Sequence, residues 1–504
     1  MFKKIVIIAL FILTCNVQLS AEPGDLISYT LLDYFTIEEI DSVFDQFPFN
    51  LFPFDPEYPA SIYSVTYETL DPQNNTAVAS GAVVIPHGAN YALPFLSFQH
   101  GTVVLRDDVP SVYGFEGIYG LLGLWGASSG YITLLPDYLG LGVSEILHPY
   151  QLAEPTANSV IDLIRASKTF SEENNLQLND QLFLMGYSEG GYATLAAQKM
   201  IEEQFPEEFE ITASAPGAGA YDMSGIMTEL MLSEQEYGSP YYLPYMLFAY
   251  NDMYNLYDSP SDYLKDEYAD VLPSLFDGEH TGGEIDAEMP SIPIHILKDE
   301  VVEDFTVNND HPLRVALRAN DLYDWIPQSP LKLFHSPDDE LIPFENSVLA
   351  YNTFIANGAD TNNVELVECP CGGHSEAAIL ILFGAFYWID ELIDDSTAVE
   401  ISNPEILLPQ KESLNSFPNP FNAATEIVFE ISSFSHVTIN AYDVLGRRVE
   451  TLFNKFIEPG TYRINWDANE LASGTYFVHM SGESLSPFRQ NFSFRKTQKL
   501  VLLK

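Results

Sequence analysis

The chain has little cysteine, little positive charge and no long apolar run past its start. Only three of its 504 residues are cysteine, so no disulfide framework holds it together. Lysine and arginine number 21 against 72 aspartate and glutamate, a formal net charge of −51. A surface that negative repels phosphate backbones and anionic membranes, which excludes a nucleic-acid partner. After the first residues no stretch approaches the ~20 consecutive apolar residues of a spanning helix, so no stable membrane span is expected. Internal repeats are absent too. With 46% hydrophobic and 18% charged residues, the composition is that of a globular chain with a large core.

The acidity is uneven. From Ser413 onward there are nine Lys or Arg and eight Asp or Glu, so the negative charge belongs to the region before it. Such a surface keeps a protein soluble and suits salty water, where screening relieves its self-repulsion. Melting temperature and activity are therefore expected to rise from low to molar salt; a flat response would remove the idea.

Met1-Phe2-Lys3-Lys4 is a short basic start, Ile5 to Thr14 an apolar run, and Ala21 a small residue suited to cleavage. This is the layout of a secretory signal peptide over residues 1–21, and it predicts an exported protein. An ordinary buried helix is the plainer alternative. Leu13-Thr14-Cys15 touches a lipoprotein pattern, but Thr before the Cys fits it poorly. Once Cys15 leaves with the signal, Cys369 and Cys371 remain, flanking Pro370. They are either free thiols or a bridge that braces the loop after them; residues two apart make a strained pair, and the sequence leaves both open.

Glu22 to Ala60 is a mixed lead-in with Pro and Phe clusters, and regular signals start at Ser61. Strands are expected at 61–67, 78–85, 95–99, 131–135, 181–185 and 210–215, with helices at 156–170 and 190–203. Such alternation predicts an α/β fold, a mostly parallel sheet with helices on both faces. The pattern breaks between 221 and 329, which is rich in Tyr, Met and Leu with little strand signal beyond Ile292 to Leu297. It reads as a mainly helical cap insertion over the carboxyl edge of the sheet. Alternation resumes with strands at 331–334 and 363–367 and helices at 344–357 and 376–393. Residues 22–395 thus form the expected catalytic domain. Residues 396–412 read as a linker, and 413–504, a run of short β segments punctuated by Gly446, Pro459-Gly460 and Gly474, as a β-sandwich.

Gly186-Tyr187-Ser188-Glu189-Gly190-Gly191 follows a strand and opens a helix. In that context a Gly-x-Ser-x-Gly match marks a sharp turn holding the Ser188 hydroxyl proud of the sheet edge. A serine needs a base to take its proton, and in this fold the order is Ser, acid, His. His374, in Cys371-Gly372-Gly373-His374, sits between a strand and a helix on a glycine-flexible loop and is the candidate base. His335, His311, His436, His479, His100 and His148 are weaker, by position or by order. The loop Asp338-Asp339-Glu340 offers three carboxylates; Asp-x-x-Ile-Pro spacing favours Asp339 as the acid that orients the imidazole, with Asp338 the fallback. The backbone N–H of Glu189 is one expected oxyanion donor, and that of Thr102, in His100-Gly101-Thr102, the second, with Gly101 next. Met223, Met227, Met231, Tyr241, Tyr242, Tyr245 and Met246 either line an acyl pocket or form the core of the cap itself.

Several motifs occur in order: His100-Gly101-Thr102 with Val109-Pro110-Ser111, Pro136-Asp137-Tyr138-Leu139-Gly140-Leu141-Gly142 with His148-Pro149-Tyr150, and Gly186 to Tyr192. Through them, residues 61–393 resemble the secretory-lipase branch of the α/β-hydrolases. The resemblance implies hydrolysis of an ester or lipid substrate by a serine esterase or lipase without a cofactor or metal, under a helical cap. A peptidase of the same fold, or a catalytically silent surface-binding protein, are the other readings. Phe417-Pro418-Asn419-Pro420-Phe421-Asn422, Tyr442-Asp443-Val444-Leu445-Gly446-Arg447 and Leu471-Ala472-Ser473-Gly474-Thr475-Tyr476 resemble a type IX secretion sorting domain. That implies engagement of the type IX secretion machinery by 413–504, passage through the outer membrane of a Bacteroidetes-like bacterium, and release or attachment at the outer cell surface.

Overall fold

A computed structural model describes residues 22–44, 55–115, 118–394, 412–431, 435–457, 460–469, 471–484 and 493–504. The expected signal peptide and residues 396–411 of the expected linker lie outside them.

Nine strands form the first sheet: β1 (Leu26–Phe35), β2 (Ala60–Leu70), β3 (Thr76–Pro86), β4 (Leu93–Gln99), β5 (Ile132–Pro136), β6 (Leu178–Tyr187), β7 (Ile211–Gly217), β8 (Leu331–His335) and β9 (Val364–Glu368). Their order is β1-β2-β3-β5-β4-β6-β7-β8-β9. The ladders from β5 through β9 are parallel, and β1, β2 and β3 add an antiparallel wing. Every residue of β4 is buried, as expected of a continuous apolar run in a sheet covered on both faces. Alternate residues serve opposite faces. Leu184 joins one hydrophobic cluster with Val160 and Ile164 of the helix Ala153–Glu173 and Leu195 of the helix Glu189–Gln204. Phe183 and Met185 join the other with Trp125 and Ile381, from helices Ile118–Ser128 and His374–Asp390.

Two local readings need correction, and one helix has no counterpart among the expectations. The lead-in is not irregular: it contains β1 and the helix Ile37–Phe44. β1 is an edge strand whose register with β2 shifts twice, so its sequence carries no clean alternation. The helix Ile118–Ser128 had no signal because its three glycines depress helix propensity. They serve close packing instead: a Cβ on Gly126 would lie 2.4 Å from Thr133 Oγ1 of β5. The expected strand at Ile292–Leu297 is a short 3-10 turn, Pro293–Ile296, with only Leu297 bridged to Leu264. Pro293 supplies no N–H and fixes φ, which blocks a ladder there.

Between β7 and β8 the described chain forms helices and short 3-10 turns, the longest being Tyr242–Tyr254. This is the mainly helical cap. The C-terminal unit is all-β: β10 (Ser413–Asn422), β11 (Ala424–Ile431), β12 (Ser435–Asp443), β13 (Arg448–Ile457), β14 (Gly460–Asp467), β15 (Gly474–Ser484) and β16 (Ser493–Leu502). β11 alternates buried and solvent-facing residues, the mark of a strand with one covered face. The order is β13-β12-β15-β16-β10-β11-β14, so β16 sits inside, between β15 and β10. Trp466, Phe429, Ile439 and Leu500 meet in its own core.

Candidate active site

β6 delivers the chain into a tight turn at Ser188, whose φ of 61° and ψ of −122° lie where non-glycine residues are rarely found. The Ser188 N–H donates to Gly217 O of β7 at 2.9 Å, which ties the turn down. The following helix starts hard against the end of β4: a Cβ on Gly190 would lie 2.0 Å from Gln99 O.

His374 opens its helix on the far side of β7 and β8. Its N–H donates to Glu340 Oε2 at 2.9 Å, and its carbonyl accepts from the Tyr187 hydroxyl at 2.7 Å. The imidazole is thereby held over the turn, with Nε2 2.9 Å from Ser188 Oγ and Nδ1 2.6 Å from Asp339 Oδ2. A carboxylate only accepts, so Nδ1 carries the hydrogen and Nε2 is left to accept from the serine. The sequence offered three carboxylates on this loop, and Asp339 is the one in contact. Asp338 is exposed, with its N–H directed at Ser336 Oγ. Cys369 and Cys371 form a disulfide. Cys369 N–H donates to His335 O at 2.8 Å and Ser336 Oγ to Gly372 O at 2.6 Å, so the loop that carries His374 is fastened to the end of β8.

Asp339 is anchored as an anion. Its Oδ1 accepts from the N–H groups of Leu341 (3.0 Å) and Ile342 (2.8 Å), and His335 Nε2 lies 3.3 Å from Oδ2. Burial works to raise its pKa, but the hydrogen bonds from His335 and His374 outweigh it and hold the carboxyl well below the usual range. A group depressed on folding stabilises the fold above its unfolded value of 3.8 and loses that contribution as pH falls further. The wild-type melting temperature should therefore drop steeply below pH ~4, and Asp339→Asn should flatten that part of the profile. Equal slopes for both proteins would contradict this anchoring.

Among the described residues no other histidine is hydrogen-bonded to Ser188, and only His335 also meets Asp339. His311 accepts from Leu313 N–H at a helix start, and His335 is fully buried between Ser347 Oγ and Ile342 O. His100 contacts Gly101 O and Asp137 O. Of the expected oxyanion donors, the N–H groups of Glu189 and Thr102 have no acceptor within the described residues, whereas Gly101 N–H donates to the Tyr119 hydroxyl at 3.2 Å. Thr102 Oγ1 lies 3.2 Å from the Tyr150 hydroxyl. One buried partnership had no signal in the sequence: His148 Nε2 lies 2.7 Å from Glu189 Oε1. No spacing rule links residues 41 positions apart, one on a loop and the other at a helix start.

A cleft of about 110 Å3 opens between the cap and the sheet edge. Met223, Met227, Met231, Met246 and Tyr242 line it, Met223 and Met246 being at the same time part of the hydrophobic core that holds Tyr245. Ser188 is not on its wall. The catalytic loops border it through Glu340 and Ile342 on one side and Tyr150 on the other. Among the described residues no group of three His, Cys, Asp or Glu could hold a metal ion, and no helix is long and apolar enough to cross a membrane.

The family model described as secretory lipase matches residues 126–401, more than half of the chain. The secretion system C-terminal sorting domain matches residues 415–490. Lipase 6 of Candida albicans is 23% identical over 290 residues, covering 54% of this chain and 58% of lipase 6 itself. A solved Legionella pneumophila protein is 28% identical at a TM-score of 0.68, over 73% of this chain and 98% of that one. The rice cell wall degrading esterase LipA of Xanthomonas oryzae is 27% identical at a TM-score of 0.66, over 74% of this chain and all of that one.

Proposed function

The chain belongs to the secretory lipase family, and on that premise we propose that it is an exported serine hydrolase cleaving carboxylic esters through an acyl-enzyme. The observation that carries this reading is the unbroken relay from Ser188 Oγ to His374 Nε2 at 2.9 Å and from His374 Nδ1 to Asp339 Oδ2 at 2.6 Å. His374 takes the serine proton as Oγ attacks the ester carbonyl, and the imidazolium is stabilised by Asp339. The carbonyl oxygen, now negative, is met by the N–H groups of Glu189 and Thr102. Collapse expels the alcohol with the proton from His374, and water repeats the sequence to release the acid and restore Ser188. The methionine-lined cleft suits an acyl chain. An esterified cell-wall polymer, by likeness to the Xanthomonas enzyme, is the other ester to test.

Residues 22–395 are the catalytic unit of this proposal. Residues 413–504 are its passenger address, read by the type IX machinery and directing the enzyme to the medium or the outer cell surface. Purified protein would be incubated with p-nitrophenyl esters of short and long acyl chains, an aminoacyl anilide, and a fluorophosphonate. Ester turnover, with the phosphonyl adduct on the peptide containing Ser188, is the expected result. Anilide turnover without ester turnover would make it a peptidase. Neither turnover nor labelling would leave a binding protein.

A further inference from the structure

The residue that follows the nucleophile is a glutamate, and its side chain is not in solvent. Glu189 turns inward beneath the Ser188 turn, and both it and His148 are 1% exposed. One carboxyl oxygen, Oε1, lies 2.7 Å from His148 Nε2; the other, Oε2, is buried with no hydrogen-bond partner among the described residues. On the far side of the ring, His148 Nδ1 lies 2.7 Å from Leu139 O. A carbonyl oxygen only accepts, so Nδ1 carries a hydrogen. The contact between Nε2 and Oε1 then needs a second hydrogen, because an imidazole lone pair and a carboxylate do not approach to that distance without one. The pair therefore holds one shared proton and no net charge, whether written as imidazolium with carboxylate or as imidazole with carboxylic acid.

Among the described residues no other hydrogen bond or ion pair reaches these two side chains; Arg106, which lines the same small pocket as His148, donates to Asp277 O, and His100, against Tyr138, faces Gly101 O and Asp137 O. Tyr138, Tyr150 and Tyr245 pack around the His148 ring with centroids 5.8, 6.2 and 5.8 Å away. The hydroxyls of Tyr119, Tyr192 and Tyr242 also feel Glu189. Burial above all holds these six phenols above their ordinary range, so they stay neutral through the working range of pH. Asp137, a buried acid just after β5, is engaged with Ser80 and Ser111.

The backbone N–H of Glu189 is assigned above to the oxyanion. A bare carboxylate on that same residue, in a site closed to water, would oppose the negative charge that develops there. We propose that His148 is a positioning residue for the Ser188 reaction. Through the shared proton it keeps the buried Glu189 side chain uncharged in sum, so that the Glu189 amide faces the oxyanion without an opposing field. This rests on the ester-hydrolase reading given above.

The test compares wild type, His148→Gln, Glu189→Gln and the double variant, by p-nitrophenyl butyrate kinetics and by thermal unfolding, from pH 6 to 9. His148→Gln should lower kcat ~10–100-fold with KM changed less than ~3-fold. Glu189→Gln, which keeps the backbone N–H, should lose less. Adding Glu189→Gln to His148→Gln should recover most of the loss, in melting temperature as in rate. If the single His148 variant does not fold but the double variant folds and turns over, the proposal stands. A double variant no better than His148→Gln, or a Glu189→Gln deficit as large, overturns it. The unfolding series needs no turnover, so a wild type inactive on all esters would end the hydrolase reading while the charge of the pair was still being measured.

Discussion

Ser188→Ala is expected to reduce kcat for p-nitrophenyl ester hydrolysis by ~10^4-fold or more, with melting temperature unchanged. The hydroxyl is the only group in the relay that can bond to the acyl carbon, and alanine removes it without adding bulk to the turn. His374→Ala should be about as damaging, because without a base the hydroxyl keeps its proton. The double variant should be no slower than either single one, since the two groups act as a unit. Asp339→Asn should cost ~10^3–10^4-fold: an amide nitrogen facing Nδ1 would favour the tautomer that puts the hydrogen on Nε2, aimed at the serine. Asp338, exposed and pointing elsewhere, makes Asp338→Asn the matched control. A Ser188→Ala protein retaining a tenth of wild-type activity, free of contaminating esterase, would end this assignment.

The second large effect is expected at a residue with no side chain. A Cβ at Gly190 would sit 2.0 Å from Gln99 O and 2.8 Å from His100 O. Both are backbone atoms at the end of β4, so no rotamer change relieves the contact. The helix would have to back away from the strand by about 1 Å. That displacement would pull Ser188 and Glu189 from His374 and would shift the Gly101-Thr102 loop at the same time. Gly190→Ala is expected to cost ~3–5 kcal/mol of stability in urea unfolding and at least ~100-fold in kcat. Stability within ~0.5 kcal/mol of wild type would mean that the helix start is not pressed against β4.

Much of this was legible because it is local. The parallel strands are short apolar runs bounded by turns, and Gly-x-Ser-x-Gly needs a strand before it and a helix after it, both written in the adjacent residues. The order Ser, acid, His then points to three side chains that meet at 2.9 and 2.6 Å. What the sequence hid has physical reasons. β1 wanders in register at a sheet edge, so burial does not alternate along it. Ile118–Ser128 is buried nearly all round and rich in glycine, which erases both amphipathic pattern and propensity. The His148–Glu189 pair comes from a loop and a helix start brought together by the fold, and the glutamate looks like one more acid in an acidic chain. Loop carboxylates pose a related difficulty, since Asp338 and Asp339 differ only in the direction that the backbone turns them.

The inner position of β16 has a consequence for synthesis. Ten of its residues pair with β15, and Phe421 of β10 pairs with Leu502. Residues 493–502 are thus the keystone that joins the two flanks of the C-terminal unit. Until they leave the ribosome, the ladder between those flanks stays open, whatever the catalytic sheet has already done. A unit closed only by β16 is left open in any chain abandoned before that strand.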